Sequence, residues 1–319
     1  LRNDLAGANF RSGGAEKNMY SKILVPLDGS KTAEKVLPYA RYLAGRFKVP
    51  VELLAVVDIV EMASHMVSEK GRFLDTIIED GVRQCTSYLR GVATTFADLD
   101  VRCSVEKGKA EDTIIEKAAT DKAMLITMAT HGRSGLNRFL LGSVAEKVLR
   151  GTVNPLLLIR ATAEAKSEGE AMLKSILVPL DGSELAEGVL SMAADMAKKL
   201  DLEIELFRAY HIPYNVYAGD EGFYAGNYEE RLAGVRDEAV EYLDKKAADL
   251  KRLEVAKVTC VTKEGFAADE IILLGRKTHD NLIAMSSHGR SGVKRWMLGS
   301  VAETVVRHAG DPVLIYRPL

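Results

Sequence analysis

The sequence predicts an α/β fold built from two tandem, doubly wound, Rossmann-like domains, each with a five-stranded parallel sheet flanked by helices. Three observations predict it. Short apolar runs alternate with amphipathic stretches; several runs, such as MLITMA, are apolar throughout, as strands buried on both faces require; and whole blocks of sequence recur about 150 residues apart. The octapeptide ILVPLDGS occurs at Ile23 to Ser30 and again at Ile176 to Ser183, an offset of 153. HGRSG begins at His131 and His288, and LGSVAE at Leu141 and Leu298, both offset by 157. The blocks keep their order, so the repeating unit is a domain and far exceeds a solenoid repeat.

In copy one the patterning predicts strands over 21–27, 51–57, 101–106, 123–129 and 156–160, with helices over 32–47, 75–96, 111–120 and 142–150. Copy two repeats the strands over 174–180, 203–209, 257–262, 282–286 and 313–316. Residues 1–18 carry glycines and charges with no apolar core of a signal peptide, so they read as an N-terminal extension. The small polar stretch ATAEAKSEGEAM reads as a linker, giving domains 19–161 and 173–319 joined by 162–172.

With 319 residues, 47% apolar and 28% charged, each copy can bury its own core. The 43 basic and 45 acidic residues leave a formal net charge of -2, which provides no global field for nucleic acid or an anionic membrane. No apolar run is long enough to span a bilayer. Cys85, Cys103 and Cys260 form no CxxC pair and read as buried or inert thiols of a reducing, cytoplasmic setting.

In an open parallel sheet, ligands bind beyond the carboxyl ends of the strands, where the strand order reverses. The repeated blocks fall at the ends of the first and fourth strands, so they meet in one crevice per copy if those strands are neighbours. Gly132 permits close approach of a ligand. Gly142 and Ser143 offer the amides of a helix N-terminus and a hydroxyl to a phosphate. Arg133 and Arg138, with Arg290, Lys294 and Arg295 in copy two, add positive charge. Asp28 and Asp181 can accept from a ribose hydroxyl or an adenine amine, and Val56 and Ala209 can flank a base. Taken singly, Gly-Ser before a helix and Asp-Gly-Ser after a strand are ordinary caps and turns. His131 and His288, each preceding a glycine, read as structural. Tyr210, Tyr214, Tyr217 and Tyr224 read as a packed flap or contact surface. A P-loop, a nucleophile elbow, HExxH and Cys/His metal clusters are all absent, so no catalytic or metal-ligating residue is assigned.

These residues resemble the universal stress protein family in its tandem form. The resemblance covers about 19–160 and 173–318. It rests on the opening strand with Asp-Gly-Ser and on the second half of the family's signature G-x2-G-x9-G-[ST], present as Gly132-x9-Gly142-Ser143 and Gly289-x9-Gly299-Ser300. The signature's first glycine is replaced by Ala129 and Ser286. The resemblance implies strand order 3-2-1-4-5, pairing of domains within the chain or in a homodimer, and binding of an adenine nucleotide, ATP or AMP with or without Mg, in a stress-response role exercised through a protein partner. Carried over by position, the nucleotide residues are Pro26, Leu27, Asp28, Val56, Met128, Ala129, His131, Gly132, Arg133, Gly142, Ser143 and Val144. Their counterparts in copy two are Pro179, Leu180, Asp181, Ala209, Met285, Ser286, His288, Gly289, Arg290, Gly299, Ser300 and Val301. The alternatives are an interaction scaffold that needs no nucleotide and a very slow ATPase.

Overall fold

The computed structural model describes residues 18–59, 74–131, 141–160, 171–212, 226–278, 280–289 and 298–317. Most of the linker, the extension before 18, and Gly132, Arg133, Arg138, Arg290, Lys294, Arg295, Tyr214, Tyr217 and Tyr224 lie outside the described residues.

Copy one runs β1 (Lys22–Pro26), a 3₁₀ turn (Ala33–Val36), α1 (Leu37–Phe47), β2 (Val51–Val57), α2 (Leu74–Ala93), β3 (Val101–Lys107), α3 (Ala110–Ala119), β4 (Met124–Ala129), α4 (Ser143–Gly151) and β5 (Leu156–Ile159). Copy two runs β6 (Ser175–Pro179), α5 (Glu184–Glu187), α6 (Val189–Leu200), β7 (Glu203–Tyr210), α7 (Gly226–Arg252), β8 (Val258–Glu264), α8 (Ala267–Lys277), β9 (Asn281–Ser286), α9 (Ser300–His308) and β10 (Val313–Tyr316). The single helix expected over 32–47 is divided: Pro38 lies in the first turn of α1, where its missing N–H breaks no helical bond but prevents an uninterrupted helix from Thr32. In copy two Gly188 makes the equivalent break between α5 and α6.

All ten strands form one sheet in the order β3-β2-β1-β4-β5-β10-β9-β6-β7-β8. Each half is parallel and follows the expected 3-2-1-4-5 order, and the registers match: Ile23 pairs with Val51 as Ile176 pairs with Ile204. The two halves join by antiparallel pairing of β5 with β10, Leu157 facing Leu314. This fuses the two expected sheets into one and meets the pairing requirement inside the chain. LLLI of β5 is buried along its whole length, so solvation of a free edge there would expose apolar side chains as well as unpaired amides. One core lies on each sheet face, and both contain residues of both copies, for example Tyr20 with Met196 on one side and Leu149 with Val306 on the other.

Polar contacts lock the junction. Arg160 donates to the carbonyl of Ala309 at the end of α9 (3.0 Å), and Arg317 donates to that of Leu149 in α4. Each arginine thus follows the last strand of its own copy and caps the last helix of the other. Between those helices Arg150 and Arg307 each contact both Glu146 and Glu303 at 2.9–3.4 Å, a closed ring of four charges.

The cysteines depart from the expectation of burial but not from that of inert thiols. Cys103 and Cys260 are exposed, because β3 and β8 are the two edges of the sheet, while Cys85 is half-buried. Partial burial of the sulfur raises the Cys103 and Cys260 thiols above their usual range, which disfavours thiolate. No described helix is long and apolar enough to cross a membrane.

Candidate functional site

The site of copy two is built where β6, β7 and β9 end. After Pro179 the chain leaves β6 with the Leu180 amide still bonded to Phe207 O (2.8 Å). Gly182 then turns with φ +89° and brings the Ser183 amide to Asp181 Oδ1 (3.0 Å). The Ser183 hydroxyl donates to the same oxygen (2.6 Å) and accepts from the Ala186 amide (3.2 Å), capping α5. Copy one repeats the turn: Gly29 has φ +82°, Ser30 N lies 2.9 Å from Asp28 Oδ1, and Ser30 Oγ accepts from Ala33 N (3.1 Å).

On the far side, β9 ends at Ser286 and β4 at Ala129. Both are paired strand residues, opposite Tyr316 and Ile159, and neither has positive φ. Their backbone is therefore compatible with a Cβ, and the loss of the signature's first glycine forces no rearrangement of the strand end. The signature's last glycine plays a different part from the one expected. Gly142 and Gly299 donate their amides back to Thr130 O and Ser287 O (2.8 Å each), closing the loop between strand and helix. Their N–H groups are consequently engaged within the chain. The amides of Ser143 and Val144, and of Ser300 and Val301, follow a glycine N-cap, which supplies no side chain to cover them.

A cavity of about 260 Å³ opens between these segments. Of the expected residues, Pro179, Leu180, Asp181, Ala209, Met285, Ser286, His288, Gly289, Gly299, Ser300 and Val301 all line it. Phe207, Ala267 and Ile271, which the repeated blocks do not include, complete its apolar floor and wall, with Ala186, Ser287 and Ala302. Its size is just under the usual range for small-molecule sites, which begins near about 300 Å³. In copy one Pro26, Leu27, Asp28, Val56, Met128, Ala129, His131, Gly142, Ser143 and Val144 hold the corresponding positions, and β1 pairs with β4 as convergence of the blocks requires.

The histidines behave alike. His131 Nδ1 lies 3.0 Å from Thr130 Oγ1, and His288 Nδ1 lies 2.9 Å from Ser287 Oγ. Burial, followed by the charge of Arg160, holds the His131 imidazole below its ordinary range, so at neutral pH it carries no charge to offer a phosphate. Among the described residues no group of three or more His, Cys, Asp or Glu is placed to hold a metal ion.

The universal stress protein family model matches residues 19–160 and 172–317, nearly the whole described chain. The chain belongs to the universal stress protein family. A full-length universal stress protein of Mycolicibacterium smegmatis is 25% identical over 303 residues, covering 93% of this chain and 97% of that protein. A universal stress protein of Methanocaldococcus jannaschii is 28% identical over 144 residues, 45% of this chain and 84% of that one. The crystal structure of a universal stress protein from Archaeoglobus fulgidus superposes with a TM-score of 0.68 at 20% identity, covering 93% of this chain and 98% of that one.

Proposed function

We propose that this universal stress protein binds an adenine nucleotide, ATP or AMP with or without Mg, at the carboxyl end of each half-sheet, and serves as a stress-response regulator. The observation that carries this reading is the cavity of copy two. One end presents the uncapped amides of α9 beside Gly299, the middle holds the Asp181 carboxylate, and the wall is the apolar surface of Phe207, Ala209 and Met285. An anionic group at the helix N-terminus, hydroxyls near the carboxylate and a base against the apolar wall match a nucleotide in that order. The two binding units are 19–161 and 173–319, the site residues are those named above in both copies, and occupancy is read by a protein partner in the cytoplasm.

Mass spectrometry of the small molecules released on denaturing the purified chain, followed by calorimetric titration with AMP, ADP and ATP, tests the reading. We expect an adenine nucleotide in the first and saturable binding in the second. Absence of binding at millimolar concentration of all three nucleotides would sink it and leave the interaction scaffold, whose support is the replacement of the first signature glycine by Ala129 and Ser286.

A further inference from the structure

The two copies differ at the end of the site that the repeated blocks do not reach. In copy two Phe266 is 72% exposed at the N-cap of α8, and its ring centroid lies 5.6 Å from that of His211 with the rings tilted by 46°. Ala267 follows Phe266 and lines the cavity, as does Ala209, two residues before His211. The aromatic pair therefore stands on the cavity rim at the ends of β7 and β8. Packing does not account for it: most of the ring faces water, and phenylalanine at an N-cap offers the helix no acceptor. The corresponding residues of copy one are Asp58 and Lys109, a carboxylate and an ammonium.

Position along the cavity gives the pair its meaning. The helix amides that suit an anion follow β9, whereas Ala209 is the penultimate residue of β7, two places away in the strand order. Two strand spacings are about 10 Å, a span of the order that separates the phosphate from the base within one nucleotide. A planar π-face at the end opposite the anion site is what base stacking requires.

We propose that Phe266, buttressed by His211, forms an aromatic platform for the base of a nucleotide bound in copy two, so that copy two selects its ligand by the base while copy one, with Asp58 and Lys109, does not. This rests on the nucleotide reading above and adds to it a specificity device carried by one copy. The difference makes the two sites unequal in affinity for the same nucleotide.

The test is calorimetric titration of the full chain with AMP and, separately, with ribose 5-phosphate, which keeps the anion and sugar and lacks the base. Phe266→Ala is expected to weaken the tighter class of AMP sites about 5- to 100-fold and to leave ribose 5-phosphate binding unchanged, which also reports that the site remains folded. Asp58→His with Lys109→Phe is expected to tighten the weaker AMP class. The platform is overturned if Phe266→Ala leaves AMP binding unchanged, or weakens both probes equally. If neither probe binds the unsubstituted chain, the nucleotide reading fails and the platform fails with it.

Discussion

Gly289 lies directly against Asp181: a Cβ added to Gly289 would overlap the carboxylate oxygen Oδ2 of Asp181. The two residues come from different repeated blocks, one after β9 and one after β6, so their contact is what brings the two halves of the site together. Gly289 has no positive φ, and its requirement is therefore one of space. We expect Gly289→Ala to displace the Asp181 carboxylate, an overpacking cost of about 1–3 kcal/mol that lowers the melting temperature, and in addition to weaken AMP binding about fivefold or more. Asp181→Ala combined with Gly289→Ala should bind no worse than Asp181→Ala alone. Wild-type affinity in Gly289→Ala would show that the contact is not part of the site.

Ser286 stands at the signature's first position, and its hydroxyl accepts a long hydrogen bond from the His288 amide (3.4 Å). A phosphate oxygen bound in the cavity would have to compete with this hydroxyl for the His288 amide. Ser286→Gly removes the competitor without needing a new backbone conformation. Its expected effect is an approximately three- to tenfold tightening for ATP, the worth of about one hydrogen bond, against a strand-propensity loss in stability of about 0.5–1 kcal/mol. Ala129→Gly, which removes no hydroxyl, should change ATP binding in copy one far less. Competition of ATP against AMP in the two variants measures the difference, and equal responses would refute the role given to the hydroxyl.

The junction between copies contains two kinds of charged contact that should respond differently to substitution. Arg317 is 8% exposed and donates to Leu149 O, while the ring of Arg150, Arg307, Glu146 and Glu303 is partly solvated. Arg317→Met leaves a buried helix carbonyl without this donor and should cost about 2 kcal/mol or more. Arg150→Ala should cost less than about 1 kcal/mol. High salt should erase most of the Arg150 effect and little of the Arg317 effect. Urea denaturation of the full chain at low and high salt distinguishes these outcomes.

Legibility followed the physics that each feature uses. Strand positions were readable because burial on both faces leaves continuous apolar runs: β2 and β10 begin and end where the pattern puts them, and the other strands differ by one or two residues at either end. The lining of the copy-two cavity was readable through the repeated blocks and the family resemblance. The antiparallel β5–β10 junction was not, because LLLI and VLIY look the same whichever neighbour they take. Nor was the use of the Gly142 and Gly299 amides to close their loops, a long-range bond with no composition of its own. Phe266 and His211 escaped because they belong to none of the three repeated blocks. The only sequence trace of Phe266 is its place between Gly265 and Ala267, where copy one has Gly108-Lys109-Ala110.

Glu52 and Glu205 occupy the same position in the two copies and should respond to pH in opposite senses. Burial works to raise the Glu52 carboxyl, but hydrogen bonds from Lys22 (2.8 Å), Lys117 (2.9 Å) and Ser104 (2.7 Å) overcome it and hold it at about 2. In copy two those partners are replaced by Ser175, Leu274 and Val261, and burial, with Glu203 nearby, raises the Glu205 carboxyl. A depressed folded-state value means that the unfolded chain binds the proton first. Stability from Glu52 is therefore fully present above about pH 4.5 and lost as pH falls towards 2. A raised value has the reverse sign: Glu205 costs stability once the pH is above its folded-state value. At pH 7, Glu52→Gln should destabilise the chain by about 2 kcal/mol, an effect that fades on acidification below pH 4. Glu205→Gln should stabilise it at pH 7 and have no benefit in acid. Paired denaturation curves between pH 3 and 8 measure both, and the same sign at pH 7 for the two substitutions would overturn the contrast.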